Sequence, residues 1–164
     1  SNLQKEGGMI RVTKLSFLLY FVFVICCATA PIEDRQIQNV IEFPGMNKNQ
    51  IYSRSLEWIA TSFKSAKSVI EIEDKESGKI IGKIITPCGS GLGLYYVNST
   101  LTIEVKDKRA RFTCIANSAL SQNMTNEGPI YNNLSNVSQI RDSLQKLSEE
   151  YRAFILNQKK SENW

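Results

Sequence analysis

Hydrophobic and polar residues alternate along consecutive stretches in the middle of the chain, which is the pattern of half-buried β-strands. Ser68 to Asp74 alternates and Lys79 to Thr86 is expected to return as a further strand, and Tyr95 to Val105 and Arg109 to Ala116 alternate as well. The first two are joined by the polar turn Asp74 to Gly78, and the last two by Asp107 and Lys108. Because the period of two continues on both sides of the Asp107-Lys108 turn, the stretches predict an antiparallel meander.

Two other segments have the residue spacing of amphipathic helices. Asn47 followed by Gln50 predicts a capping box at the start of the first helix. Its apolar stripe consists of Tyr52, Leu56, Ile59, Ala60 and Phe63. Arg54 and Trp58 fall outside that stripe. The second helix, near the C-terminus, carries the apolar residues Val137, Ile140, Leu144, Leu147, Tyr151 and Phe154 at alternating spacings of three and four.

The order of these elements predicts an α+β fold. Ile37 to Phe43 supplies a first strand, so the order is β-α-β-β-β-β-α, with a five-stranded antiparallel sheet and both helices packed on one face. We expect a single domain over residues 37–158, preceded by a polar tether (31–36) and followed by a frayed tail (159–164). The stretch Asn117 to Asn136, rich in Asn, Ser, Gly and Pro, predicts a long loop.

The N-terminal part of the chain has the three-part pattern of a signal peptide. The apolar run Leu15 to Ala30 follows Arg11 and Lys14 and ends in small residues. It is shorter than the roughly 20 residues of a spanning helix, so we predict a cleaved signal over residues 9–30, with an uncleaved anchor as the alternative. Residues 1–8, before Met9, are expected to be over-called or tag sequence.

Export leaves three expected locations: periplasmic, membrane-anchored as a lipoprotein, or extracellular. Cys27 is the candidate lipid-attachment residue, although Cys26 immediately before it makes a poor lipidation motif. We expect contact with the membrane only through the signal or a lipid anchor.

Composition narrows the function classes. The net charge is +4, with both signs interleaved, rather than the clustered basic stripe that binds a phosphate backbone, so we expect no nucleic-acid partner. The chain contains no histidine, which removes the usual general base near neutral pH and the commonest transition-metal ligand. The sequence therefore predicts no catalytic residues, no metal site and no cofactor.

Two cysteines, Cys88 and Cys114, follow the signal peptide. In an oxidising compartment they could form a disulfide. The alternative is that Cys114 is a small buried residue and Cys88 an unpaired thiol in the glycine-rich loop Pro87 to Gly93.

The segment Phe43 to Lys83 resembles an exported bacterial family known as a domain of unknown function with a TATA-binding-protein-like fold. The resemblance rests on Pro44-Gly45, on Tyr52 and Trp58, on Lys64 to Ile70, and on the turn Asp74 to Gly78 followed by Ile80-Ile81-Gly82. With the downstream meander and last helix it covers roughly Ile37 to Asn157. It implies the fold and export, and supplies no catalytic motif.

These observations favour a non-enzymatic binding or interaction module of a bacterial envelope, whose partner is an unknown envelope protein or ligand. The predicted interaction face is the uncovered side of the sheet, with Glu71, Glu73, Glu104, Arg109, Arg111 and Thr113. The alternative is a carboxylate-dependent hydrolase of envelope glycan or peptidoglycan that uses Glu71 or Glu73, because period two places both on one sheet face.

Overall fold

The computed structural model describes residues 29–63, 69–89, 93–120, 126–130 and 134–161. The predictions for residues 1–8, for the signal peptide up to residue 28 and for the lipid site at Cys27 lie outside the described residues. The same holds for the tail beyond residue 161.

The α+β prediction is confirmed. The elements are β1 (Gln36–Glu42), α1 (Lys48–Ser62), β2 (Ile70–Asp74), β3 (Lys79–Cys88), β4 (Tyr95–Lys106), β5 (Arg109–Leu120), β6 (Glu127–Gly128) and α2 (Leu134–Ser161). The described strands form one antiparallel sheet in the order β1-β5-β4-β3-β2, and the two-residue strand β6 pairs with the end of β5. This short strand is the one element that the predicted five-stranded sheet lacks.

The turn between β4 and β5 also anchors the first strand. Lys108, the second residue of the two-residue turn, has a φ of 64°, in the left-handed region. Its carbonyl accepts a hydrogen bond from the N–H of Phe43 at 2.6 Å, and its own N–H donates to the carbonyl of Met46 at 3.0 Å. The chain that leaves β1 is therefore tied to the β4–β5 hairpin just before α1 begins.

The hydrophobic core lies between the two helices and one face of the sheet. At its centre the Tyr151 ring contacts the rings of Trp58, Phe112 and Phe43, with centroid distances of 5.1, 5.4 and 6.1 Å. The Tyr151 hydroxyl lies 2.8 Å from the hydroxyl of Ser55. These rings therefore join α1, α2, β5 and the turn after β1 in one packed cluster.

Helix α1 confirms the capping box but buries a different face from the one predicted. Its buried residues are Ile51, Tyr52, Arg54, Ser55, Trp58 and Ile59, whereas Ala60 is exposed. The buried face is rotated by roughly a quarter-turn, since successive residues advance by about 100°. The prediction missed this face because a polar residue, Ser55, lies at its centre. The Ser55 hydroxyl donates to the Ile51 carbonyl and also hydrogen-bonds the Tyr151 hydroxyl.

Several boundaries also differ from the prediction. Strand β5 continues to Leu120 and α2 begins at Leu134, so the predicted loop 117–136 is shorter. The predicted polar tether contains a 3-10 helix, Ile32–Arg35, and the Arg35 guanidinium donates to the carbonyls of Ala116 and Asn117, both at 2.8 Å. Helix α2 extends to Ser161, into the segment predicted to be a frayed tail.

Replacing Trp58 by alanine tests this orientation of α1. Trp58 is 2% exposed, so we expect Trp58→Ala to lower the free energy of unfolding by about 3–5 kcal/mol in urea denaturation. The control Ala60→Ser, on the exposed side, should change it by no more than about 0.5 kcal/mol. The reverse ranking would mean that the stripe through Ala60 is the buried one.

Candidate functional site

The side of the sheet that faces away from both helices is here called the open face. Alternate residues of each strand point to it, because buried and more exposed positions alternate along β3, β4 and β5. Its central positions are Val40, Arg111, Glu104 and Lys79 in one cross-strand row, and Gln38, Thr113, Thr102, Ile81 and Ile72 in the next.

Five of the six residues predicted for the interaction face do lie on the open face. Arg111 and Glu104 are directly opposite each other and form an ion pair at 3.1 Å, half-exposed to solvent. Thr113 and Arg109 lie on the same strand as Arg111, two residues away on either side. Glu71 reaches this face through an ion pair with Lys83 at 2.7 Å.

The prediction that Glu73 shares a face with Glu71 is wrong. A β-bulge between Ile70 and Ile72 shifts the register of β2, so Glu73 lies opposite Ile80, which is buried under the helices. The pKa of Tyr52 in α1 is raised mainly by burial and also by the nearby charge of Glu73. The two carboxylates therefore point to opposite sides of the sheet and form no catalytic pair.

A shallow depression lies at one corner of the open face. It has a volume of about 200 Å³ and is lined by Val40, Glu104, Lys106, Arg109 and Arg111. Three cations and one carboxylate surround it, and Glu42 stands opposite Arg109 in the β1–β5 register. We call the residues that line this depression the basic corner. Its guanidinium groups are suited to bind a carboxylate or a phosphate group.

Aliphatic side chains also lie on the open face. Val40, Ile72 and Ile85 are 56%, 50% and 46% exposed. The sequence did not predict Val40 and Ile85 at this face, because apolar residues stand at adjacent positions in β1 and β3 and the local pattern does not show which of them face the core. These three residues lie on three different strands, so the open face carries separate apolar contacts beside its charged pairs.

A polar network closes the far end of the open face. The Glu127 carboxylate accepts hydrogen bonds from Asn98, at 3.0 Å, and from the Ser118 hydroxyl, and the Asn117 amide donates to Thr100 at 2.8 Å. The bonds from Ser118 and Asn98 lower the pKa of Glu127. This network was missed because β6 and the end of β5 were predicted to be loop.

Of the two alternatives for the cysteines, the structure shows the unpaired one: Cys88 and Cys114 are both free and buried. Cys88 lies on β3 opposite Tyr95, and Cys114 lies on β5 opposite Leu101, so strand β4 separates them. The Cα atoms of the two cysteines are therefore separated by at least two inter-strand spacings of about 4.8 Å each. This separation exceeds the roughly 7 Å that a disulfide spans between Cα atoms. Burial raises the pKa of both thiols, that of Cys114 to about 12.

The described part of the chain offers neither a cluster of metal ligands nor a membrane-spanning helix. No group of three Cys, Asp or Glu side chains there is close enough together to hold a metal ion. None of the described helices combines the length and apolar character needed to cross a bilayer.

The buried thiol of Cys114 predicts alkaline sensitivity. Above about pH 9 the unfolded chain releases a thiol proton that the folded protein retains, so the free energy of unfolding falls as the pH rises from about 9 towards 12. In urea denaturation from pH 8 to 10.5, the free energy of unfolding of Cys114→Ala should fall less steeply with pH than that of the unchanged protein. The difference in slope should correspond to about one proton. An unchanged slope would place this thiol in contact with water.

Comparison with known proteins supports the fold. A crystal structure of a TBP-like protein from Parabacteroides distasonis superposes with a TM-score of 0.60 at 10% identity, covering 74% of this chain and 92% of that one. A DUF4468 family protein from Bacteroides ovatus gives a TM-score of 0.49 at 15% identity, covering 75% and 90%. No match is found among proteins with curated descriptions.

The sequence model of one family matches residues 38–116, from β1 to the greater part of β5. This range contains the basic corner and most of the open face. The matching family is described as a domain of unknown function (DUF4468) with TBP-like fold.

Proposed function

We propose that this protein is an exported binding module of the bacterial envelope, which contacts an anionic partner through the open face and mainly through the basic corner. The observation that carries the proposal is the grouping of Lys106, Arg109 and Arg111 around one depression beside the half-exposed Val40.

The two faces of the sheet differ in how accessible they are to a ligand, and this difference supports the assignment. The helix side is occupied by the core, where Leu101, Phe112 and Cys114 are almost fully buried. A ligand could reach that side only by displacing a helix. The open face needs no rearrangement, because its strands are already held rigidly by their hydrogen-bonded neighbours, so binding there costs little conformational entropy.

The charges favour an acidic group as the part of the partner that is recognised. Arg109 carries a planar guanidinium at the rim of the depression, and Lys106 lies directly opposite it in the β4–β5 register. Two neighbouring cations repel each other, and a bound carboxylate or phosphate relieves that repulsion. Val40 offers an adjacent apolar contact for the rest of the ligand.

Export is supported by the leader pattern and by the family resemblance of the sequence. The described chain begins at Thr29, and Ala30 is buried, with its N–H donating to the Ile130 carbonyl at 2.9 Å. Cleavage after Ala28 would keep this contact, whereas cleavage after Ala30 would remove it. We therefore favour Ala28 as the last residue of the signal.

Charge reversal at the basic corner tests the proposed function. A photo-reactive residue replaces Thr113 both in the otherwise unchanged protein and in the Arg109→Glu/Arg111→Glu variant. Each protein is irradiated in native envelope fractions, and the amount of cross-linked product is measured. We expect the double reversal to reduce the cross-linked product by at least about tenfold, since it replaces attraction by repulsion at a partly desolvated contact.

The matched control carries the same change of charge on the other layer of the fold. Arg141→Glu/Lys146→Glu alters two exposed cations of α2 and should leave the cross-linked product unchanged. An equal loss in both variants would show that only net charge matters. An equal yield from all three proteins would remove the basic corner from the contact.

A further inference from the structure

Strand β1 forms one edge of the sheet, and its outer side carries backbone hydrogen-bonding groups. Within the described residues β1 pairs only with β5. The N–H of Phe43 points towards β5, where it bonds Lys108, and backbone groups of alternate residues point the same way. Ile37, Asn39 and Ile41 therefore bond β5, whereas Gln38, Val40 and Glu42 direct their N–H and C=O groups outwards.

The opposite edge of the sheet is protected against strand pairing, and this edge is not. Strand β2 is interrupted by a bulge and carries the carboxylates of Glu71, Glu73 and Asp74. Bulges and charges are the usual devices that keep an edge from pairing with another chain. Strand β1 has seven residues in unbroken register, no proline and a single charge, at Glu42.

A groove runs along the β1 edge. It has a volume of about 490 Å³ and lies between residues 38–42 and the side chains of Gln145, Ser148, Glu149 and Arg152 on α2. The Asn39 amide bonds Gln145 and Ser148, both at 3.0 Å, and so holds α2 beside the strand. The groove gives another strand access to the outward backbone groups.

We propose that the occupant of this edge is a second copy of the chain, whose β1 pairs antiparallel with β1 about a two-fold axis at Asn39. The full overlap places Gln36 of one copy opposite Glu42 of the other, and Gln38 opposite Val40. Each outward residue then exchanges two backbone hydrogen bonds with its counterpart, and the two sheets become one continuous sheet.

The charges of the edge are complementary to themselves in this arrangement. Each Glu42 carboxylate meets an amide rather than the other carboxylate. The antiparallel α2 helices bring the Glu149 carboxylate of one copy towards the Arg152 guanidinium of the other, as a two-fold interface requires. The two Val40 side chains become diagonal neighbours, which covers methyl groups that are otherwise half-exposed.

This inference is independent of the proposed ligand contact. The dimer uses the backbone edge of β1, whereas the charged side chains of the basic corner belong to β4 and β5. Dimer formation would nevertheless place two basic corners on one continuous open face, because Val40 belongs to both surfaces.

Proline at residue 40 tests the proposal. The Val40 N–H points away from β5, so Val40→Pro removes a donor from the dimer but none from the folded monomer. In sedimentation equilibrium over a range of concentrations we expect a monomer–dimer equilibrium for the unchanged chain. Val40→Pro should raise the dissociation constant by at least about tenfold, with an unchanged circular dichroism spectrum. Val40→Thr, which keeps the N–H, should dimerise.

A cross-linking measurement checks the register without relying on proline. Asn39→Cys should form a disulfide-linked dimer under mild oxidation, because the two residues 39 face each other across the axis. Gln38→Cys should not, since each residue 38 lies opposite residue 40. Both variants are made with Cys26 and Cys27 changed to serine. A chain that stays monomeric at every concentration, or a Val40→Pro variant that dimerises as well as the unchanged chain, would overturn the proposal.

Discussion

The packing of the Trp58, Phe112 and Tyr151 rings against one another is the interaction on which the rest of the structure depends. Each ring comes from a different element, α1, β5 and α2, and their centroids lie 5.1 to 6.0 Å apart. Aromatic side chains bury more area than any other kind, so this cluster fixes both helices on the same face of the sheet. The opposite face is left uncovered as a direct consequence, and that asymmetry gives the protein its candidate binding surface.

The open face combines three features that have separate physical origins. The basic corner arises because β4 and β5 place Lys106, Arg109 and Arg111 next to one another. The half-exposed aliphatic residues arise because β-strands favour branched side chains on both faces. The polar end arises because Glu127 accepts hydrogen bonds from two neighbouring strands. Together they make a surface with a basic corner, separate half-exposed aliphatic groups and a polar end, and the edge of β1 lies at its margin.

Much of the fold could be predicted from the sequence, because alternation in β4 and β5 and the stripe of α2 are strong periodic signals. The failures have identifiable causes. Ser55 concealed the buried face of α1, since a serine that bonds Tyr151 looks like a surface residue. The bulge in β2 turns the Glu73 side chain to the opposite face of the sheet, and such a one-residue shift cannot be seen in an alternating sequence pattern. The position of Val40 beside Arg111 could not be predicted, because it depends on the order of the strands in the sheet, which no local pattern contains.

The central claim is that the core lies on one side of the sheet only. Nuclear Overhauser contacts measured on the folded protein in solution test it most directly. The account predicts cross-peaks from the Trp58 indole to the rings of both Phe112 and Tyr151, and none from the methyl groups of Val40 or Ile85 to either helix. Cross-peaks from those methyl groups to side chains of α1 or α2 would contradict it.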